Sequence, residues 1–238
     1  MLELHQFRQS PFCLKVRMAL HAKQLSYRIV ELRPGLDQIS LFRLSGQRQV
    51  PVIVNGDKVV ADSSAIISYL EDLSQSPALI PIDLQEATQA HLIEDWADTT
   101  LAHACRTTFL QSAVLDRELR AAFVPEELPG SLRKLMEEMP GGWINTFTEV
   151  LGIGKGAELF ESLEKLSISL ASSDWLVGGS MSVADIAVAA QLSLLRFPPS
   201  SGEVLAGKGV LGLSDHPCLQ GLFSWRDQLD RSIFERNP

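Results

Sequence analysis

The sequence predicts a small α/β domain of βαβαββα order over residues 1–75, joined by residues 76–83 to an all-α helical domain over residues 84–238. Three observations carry this. Within the first 75 residues, short β-rich runs are interleaved with helical stripes. An Asn55-Gly56 pair, the strongest short hairpin signal, lies between two apolar runs. Beyond Pro77 and Pro81 the composition changes and apolar residues recur at helical spacing.

Taken in order, Leu2 and Leu4 alternate with Glu3 and His5, which makes a short strand. A helix is expected over residues 11–24, with Cys13, Val16 and Leu20 on one stripe and Leu14 and Met18 widening it. Pro11 suits its first position because the N–H that proline lacks has no intrahelical acceptor there. Residues 27–32 form a second strand, Pro34-Gly35 breaks the chain, and residues 37–44 form a short helix. Residues 50–54 are a third strand, and Val59, Val60 and Ala61 return from the hairpin. Asp62-Ser63-Ser64 then opens a helix with Ile66, Leu70 and Leu73 on one face.

In the second half, residues 84–115 read as one long helix. Breakers cluster at Pro125, Pro129-Gly130, Pro140-Gly141-Gly142, Gly152, Gly154 and Gly156, leaving short helices at about residues 131–139 and 143–151. Another helix is expected over 159–171. Ser182 as N-cap with Asp185 at the third helical position, flanked by Met181 and Ile186, gives a capping box with a hydrophobic staple. That helix should run to about Arg196, followed by a loop over 198–212 and a final helix over 217–234.

The chain has 238 residues, 45% hydrophobic and 21% charged, an ordinary globular composition. Its net charge of −8 offers no footprint for nucleic acid. The first 80 residues carry nine Lys or Arg against seven Asp or Glu, so the acidity lies in the remainder. Cys13, Cys105 and Cys218 are odd in number, far apart and without metal-ligand spacing, which implies a reducing compartment and no metal. No secretory leader opens the sequence, and the apolar run at residues 186–195 is too short to span a bilayer. A soluble, cytoplasmic protein with no membrane partner is therefore expected.

The chemistry concentrates at two helix starts, Ser10 and Asp62-Ser63. A helix N-terminus presents free N–H groups and the positive end of the macrodipole, which together attract anions and favour thiolates. Between them Val50-Pro51 opens a strand, where proline's missing donor is tolerated. Cys13 lies one turn into its helix on the apolar stripe and reads as a small packing residue.

Ser10-x-x-Cys13, Gln49-Val50-Pro51 and Ala61-Asp62-Ser63-x-Ala65-Ile66-x-x-Tyr69-Leu70, in this order, resemble the thioredoxin-like domain of cytosolic glutathione S-transferases. Ser-Pro-Phe-Cys also resembles the glutaredoxin Cys-Pro-x-Cys site with its first cysteine replaced by serine. The capped segment at residues 175–187 is similar to the core helix of the transferases' helical domain. The resemblance implies glutathione as co-substrate, with Ser10 donating a hydrogen bond to its sulfur. It implies that the backbone of Val50, followed by a cis Pro51, pairs with the cysteinyl part. It assigns Asp62 and Ser63 to the γ-glutamyl end and gives Gln49 a side-chain contact. The loop before Val50 departs from the family's usual Asn-Pro-x-Gly, reading Ser45-Gly46-Gln47-Arg48.

A hydroxyl bond and a helix dipole together depress a thiol pKa from about 8.5 by about one to two units, enough to make thiolate dominant at neutral pH. The resulting expectation is a detoxifying transferase that adds the glutathione thiolate to a small apolar electrophile. The electrophile should sit between the domains near Trp96, His103, Thr107 or Phe109. The resemblance also implies a homodimer, with one N-terminal domain packed on the partner's long helices. Two alternatives remain open from the residues: glutathione-dependent thiol–disulfide exchange at Cys13, and a non-catalytic ligand-binding or interaction module of the same fold.

Overall fold

Four strands and eight α-helices are seen in a computed structural model that describes residues 1–33, 36–116, 119 and 156–235. The Pro34-Gly35 break and the short helices expected at 131–139 and 143–151 lie outside the described residues.

The N-terminal part runs β1 (Leu2–Gln6), α1 (Pro11–Ala22), β2 (Tyr27–Glu31), α2 (Gln38–Ser45), β3 (Val52–Asn55), β4 (Lys58–Ala61) and α3 (Ser63–Leu73). This is the βαβαββα order of a thioredoxin-like domain. The sheet order is β2-β1-β3-β4, with β1 parallel to β2 and antiparallel to β3, and β3 antiparallel to β4. Two boundaries differ from the sequence reading in ways that matter below. The third strand begins at Val52, so Val50-Pro51 lies ahead of it. The hairpin loop is Gly56-Asp57, one residue later than the Asn-Gly pair suggests, because Asn55 pairs with Lys58 across the ladder. Gly56 supplies the positive φ of 61° that the turn needs. Asn55 is retained in the strand, where its side chain donates to the Tyr69 hydroxyl at 2.9 Å.

The helical part begins with α4 (Leu84–Trp96), continues through a π-helical turn (Ala97–Leu101) and ends in α5 (Ala102–Leu115). The long helix expected at 84–115 is therefore present with one i→i+5 turn inside it, marked by the Ala102 N–H bonded to the Ala97 carbonyl. Then follow α6 (Gly156–Leu170), which starts at the glycine read as a breaker and three residues ahead of the expected 159, α7 (Val183–Gln191) and α8 (Gln220–Phe234). Asp185 caps α7, accepting from the Ser182 N–H and hydroxyl and from the Leu176 N–H at 2.8–2.9 Å. The α-helix stops at Gln191 and gives way to a 3-10 turn, Leu192–Leu194, short of the expected Arg196.

α1 is the hinge of the architecture. A single apolar stripe was enough to predict it, yet eight of its twelve residues are buried. One side packs on Leu4, Ile53 and Ile66 of the sheet domain, and the other on Val183, Ile186 and Ala190 of α7. Each fully buried aliphatic side chain here contributes about 1.5–3 kcal/mol, so the core cluster that joins the two parts is a major source of cohesion.

Candidate functional site

The strand register alone brings the sequence motifs together. β1 and β2 are parallel, β3 runs against β1, and Val52 pairs with Ala61. The C-terminal ends of β1, β2 and β4 and the N-terminal end of β3 therefore share one edge of the sheet. Ser10, Leu32-Arg33, Val50 and Asp62-Ser63 all emerge there.

Ser10 is the N-cap of α1. Its hydroxyl oxygen accepts the Cys13 N–H at a long 3.4 Å, and its own N–H is tied to the Phe7 carbonyl at 2.9 Å. The Ser10 side chain also hydrogen-bonds the Cys13 thiol. The loop carrying Ser10 is fixed from behind: Glu31 accepts from the Arg8 N–H at 2.6 Å and from Gln6 at 2.8 Å, and Arg17 bonds Gln6 and the Arg8 carbonyl. These side chains form a positioning frame that no local sequence signal marked. Cys13 is fully buried, and burial pushes its thiol up to about 11.

Val50 precedes a cis Pro51. Its backbone N–H and C=O have no hydrogen-bond partner among the described residues. Asp62, at φ 78°, caps α3 by accepting the Ser64 and Ala65 N–H groups on one oxygen, at 3.0 and 3.1 Å. A non-glycine residue at positive φ is costly and concentrates at functional positions. The helix start at Ser63 is thus not as open as the sequence suggests, since two of its donors are already used. What remains is the second Asp62 oxygen and the Ser63 hydroxyl, which has no protein partner among the described residues.

Two cavities flank this edge and share Phe12, Gln49 and Val50. One, of about 390 Å³, is acidic, with Asp62, Asp95 and Asp98 in its wall beside Pro51 and Ser63. The other, of about 290 Å³, contains Ser10, is walled by Phe7, Phe12, Leu32 and Leu41, and carries Arg33, Arg48 and Arg106 against the lone carboxylate of Asp37. Of the positions expected for a second substrate, none lines either cavity. Trp96 packs against the helical core, Phe109 is buried in it, His103 is exposed and Thr107 is half-buried. The same long helix instead offers Asp95, Asp98 and Thr99 to the acidic cavity and Arg106 to the basic one.

Beneath the acidic cavity lies a polar cluster that sequence reasoning missed. Lys15 of α1 is fully buried, with its ammonium 2.6 Å from Glu94, 2.5 Å from Asp98 and 3.0 Å from the Ser64 hydroxyl. Ser64 donates back towards Glu94, and His91 lies 3.0 Å from the other Glu94 oxygen. Two carboxylates sharing one ammonium are driven apart. Burial, joined by the Glu94 charge, raises Asp98 above its usual range, whereas for Glu94 burial is outweighed by Lys15 and its hydrogen bonds, which hold it low.

Residues 4–78 match the family model described as glutathione S-transferase, N-terminal domain. Glutathione S-transferase 1 of Dianthus caryophyllus is 42% identical over 88 residues, 36% of this chain and 40% of that protein. Glutathione S-transferase Z2 of Arabidopsis thaliana is 29% identical over 194 residues, covering 80% and 75% of the two chains. FtsZ-localized protein A of Caulobacter vibrioides is 23% identical over 94% of this chain and 91% of its own. Among solved structures, a glutathione S-transferase from Rhodospirillum rubrum F11 superposes with a TM-score of 0.67 at 23% identity, over 98% of this chain and 88% of that one. Residues 4–78 thus match the glutathione S-transferase N-terminal domain, and the chain carries the glutathione S-transferase fold.

Proposed function

We propose that this chain is a glutathione transferase. The reading has residues 1–75 holding glutathione along the sheet edge, residues 76–83 as linker, and residues 84–238 completing the second-substrate site. The observation that carries it is the pair of oppositely charged cavities joined at Val50. Glutathione has an ammonium and a carboxylate at its γ-glutamyl end, a strand-like cysteinyl amide in the middle and a carboxylate at its glycyl end. The free Asp62 oxygen suits the ammonium, and the Ser63 hydroxyl suits the neighbouring carboxylate. The unpaired Val50 backbone suits the cysteinyl amide in the manner of strand addition. Gln49 borders both cavities, and Arg48 in the basic one suits the glycyl carboxylate.

In this arrangement the sulfur lies in the Ser10 cavity. Ser10 donates a hydrogen bond to the thiolate, and the start of α1 adds its dipole; serine stabilises the nucleophile without becoming it. The thiolate forms a carbon–sulfur bond with an apolar electrophile against Phe12 and Leu41. With a chlorinated nitroaromatic, the carbon–chlorine bond breaks and chloride leaves. The buried, high-pKa thiol of Cys13 supports transfer over thiol–disulfide exchange. Exposed Leu73, Ile82, Leu84 and Leu92 support a homodimer, testable by light scattering.

Calorimetric titration of glutathione into wild type and Ser10→Ala, with turnover of 1-chloro-2,4-dinitrobenzene, tests the reading. Wild type binds and turns over, while Ser10→Ala binds and loses most turnover. Absence of glutathione binding by wild type overturns it.

A further inference from the structure

The basic cavity is out of character with the molecule around it. The protein has a net charge of −8, yet three guanidiniums face one carboxylate in a cavity of about 290 Å³ whose remaining walls are largely apolar. Arg33 is already neutralised: it grips Asp37 through two side-chain bonds of 2.9 and 3.0 Å, and this pairing holds the Asp37 carboxyl down to about 2. Arg48 lies 5.6 Å over the Phe42 ring and has no carboxylate partner among the described residues. On the glutathione reading, the glycyl carboxylate takes it up.

Arg106 remains. It is the residue through which α5 reaches this cavity, across from Ser10 and Phe12, and it has no hydrogen bond or ion pair among the described residues. Its helix gives it a fixed base, and on the glutathione reading neither the described residues nor glutathione supplies a counterpart for its charge. A second substrate entering this cavity can supply that anion. A planar guanidinium beside an apolar wall recognises a planar carboxylate through paired N–H donors, which a neutral electrophile cannot use. We infer that Arg106 sets the specificity of this site for apolar electrophiles that carry a carboxylate, such as aromatic or unsaturated acids. The inference rests on the glutathione reading above.

The test uses unreactive probes, so that binding is read without chemistry. Full-length protein saturated with glutathione is titrated calorimetrically with 3,5-dinitrobenzoate and with its neutral counterpart 3,5-dinitrobenzamide. Wild type prefers the benzoate, and the preference weakens as salt is raised, because the pair is partly exposed. In Arg106→Gln the ratio of the two affinities falls about tenfold, the scale of one charge-assisted hydrogen bond. Arg106→Lys, which keeps the charge but loses the fork, recovers part of it. An unchanged ratio in Arg106→Gln, or equal weakening of both probes, overturns the inference. If glutathione itself fails to bind wild type, the transferase reading fails and this inference goes with it. If glutathione binds and the ratio does not move, the role given to Arg106 falls alone.

Discussion

α1 carries two polar side chains five residues apart that are treated in opposite ways. Ser10 lines a cavity and is held only by a long 3.4 Å bond from the Cys13 N–H and by the Cys13 thiol, while Lys15 is sealed among three oxygens at 2.5–3.0 Å. α3 repeats the contrast in adjacent residues, Ser63 having no partner among the described residues at the cavity and Ser64 being held inside the Lys15 cluster. Each helix thus presents one polar group to a cavity and uses another to dock the two parts of the chain. A buried ion cluster is weak evidence for net stability, but losing one member of it is costly.

Lys15→Met gives the sharpest test of that contrast. It leaves Glu94 and Asp98 without their cation, with an expected loss of about 3–5 kcal/mol and a fall of about 10 °C in the thermal midpoint, followed by calorimetry or circular dichroism. Ser10→Ala behaves inversely: turnover falls about 100-fold, as for loss of one donor to a developing charge, while stability drops by about 1 kcal/mol, the worth of an N-cap. If the two variants give similar profiles, the division of roles is wrong. Asp62→Asn keeps a competent cap but removes the charge, so glutathione affinity falls about tenfold with little change in the midpoint.

A fourth test concerns pH. The Glu94 carboxyl is lowered in the folded protein, so its contribution to stability is complete above its unfolded value near 4.5 and is lost as pH falls through the folded value. Comparing urea midpoints of wild type and Glu94→Gln from pH 7 to pH 3 should show the gap between them closing in acid. A gap independent of pH removes Glu94 from the charged cluster. Smallest of all is the effect expected at Cys13: a thiol reagent at neutral pH titrates one group per chain, the exposed Cys218, while the buried Cys13 and Cys105 react only on unfolding. Rapid reaction of a second thiol reopens disulfide exchange.

Ser10, Val50-Pro51 and Asp62-Ser63 were legible because each is announced locally, by a cap, a proline or a hairpin return. The Lys15 cluster was not. Lys15 and Glu94 are 79 positions apart, and a lysine beside a helical stripe looks like a solvated residue until a second domain covers that face. Arg106 was hidden for another reason. An α-helical register carried from Trp96 through residue 109 assumes an unbroken 3.6-residue turn, but the π-helical turn at Ala97–Leu101 inserts one residue and rotates everything after it by about 100°. That rotation separates Asp95 and Asp98, which face one cavity, from Arg106, which faces the other.

The same turn gives the long helix a joint between two assignments. Upstream of it, side chains are committed to the buried cluster and the acidic cavity, where substitutions disturb the docking of the chain's two halves. Downstream, α5 meets the basic cavity through an exposed residue. On the transferase reading, substitutions downstream of the turn alter what the basic cavity accepts and leave the docking of the two halves in place, so that one helix carries two separable duties.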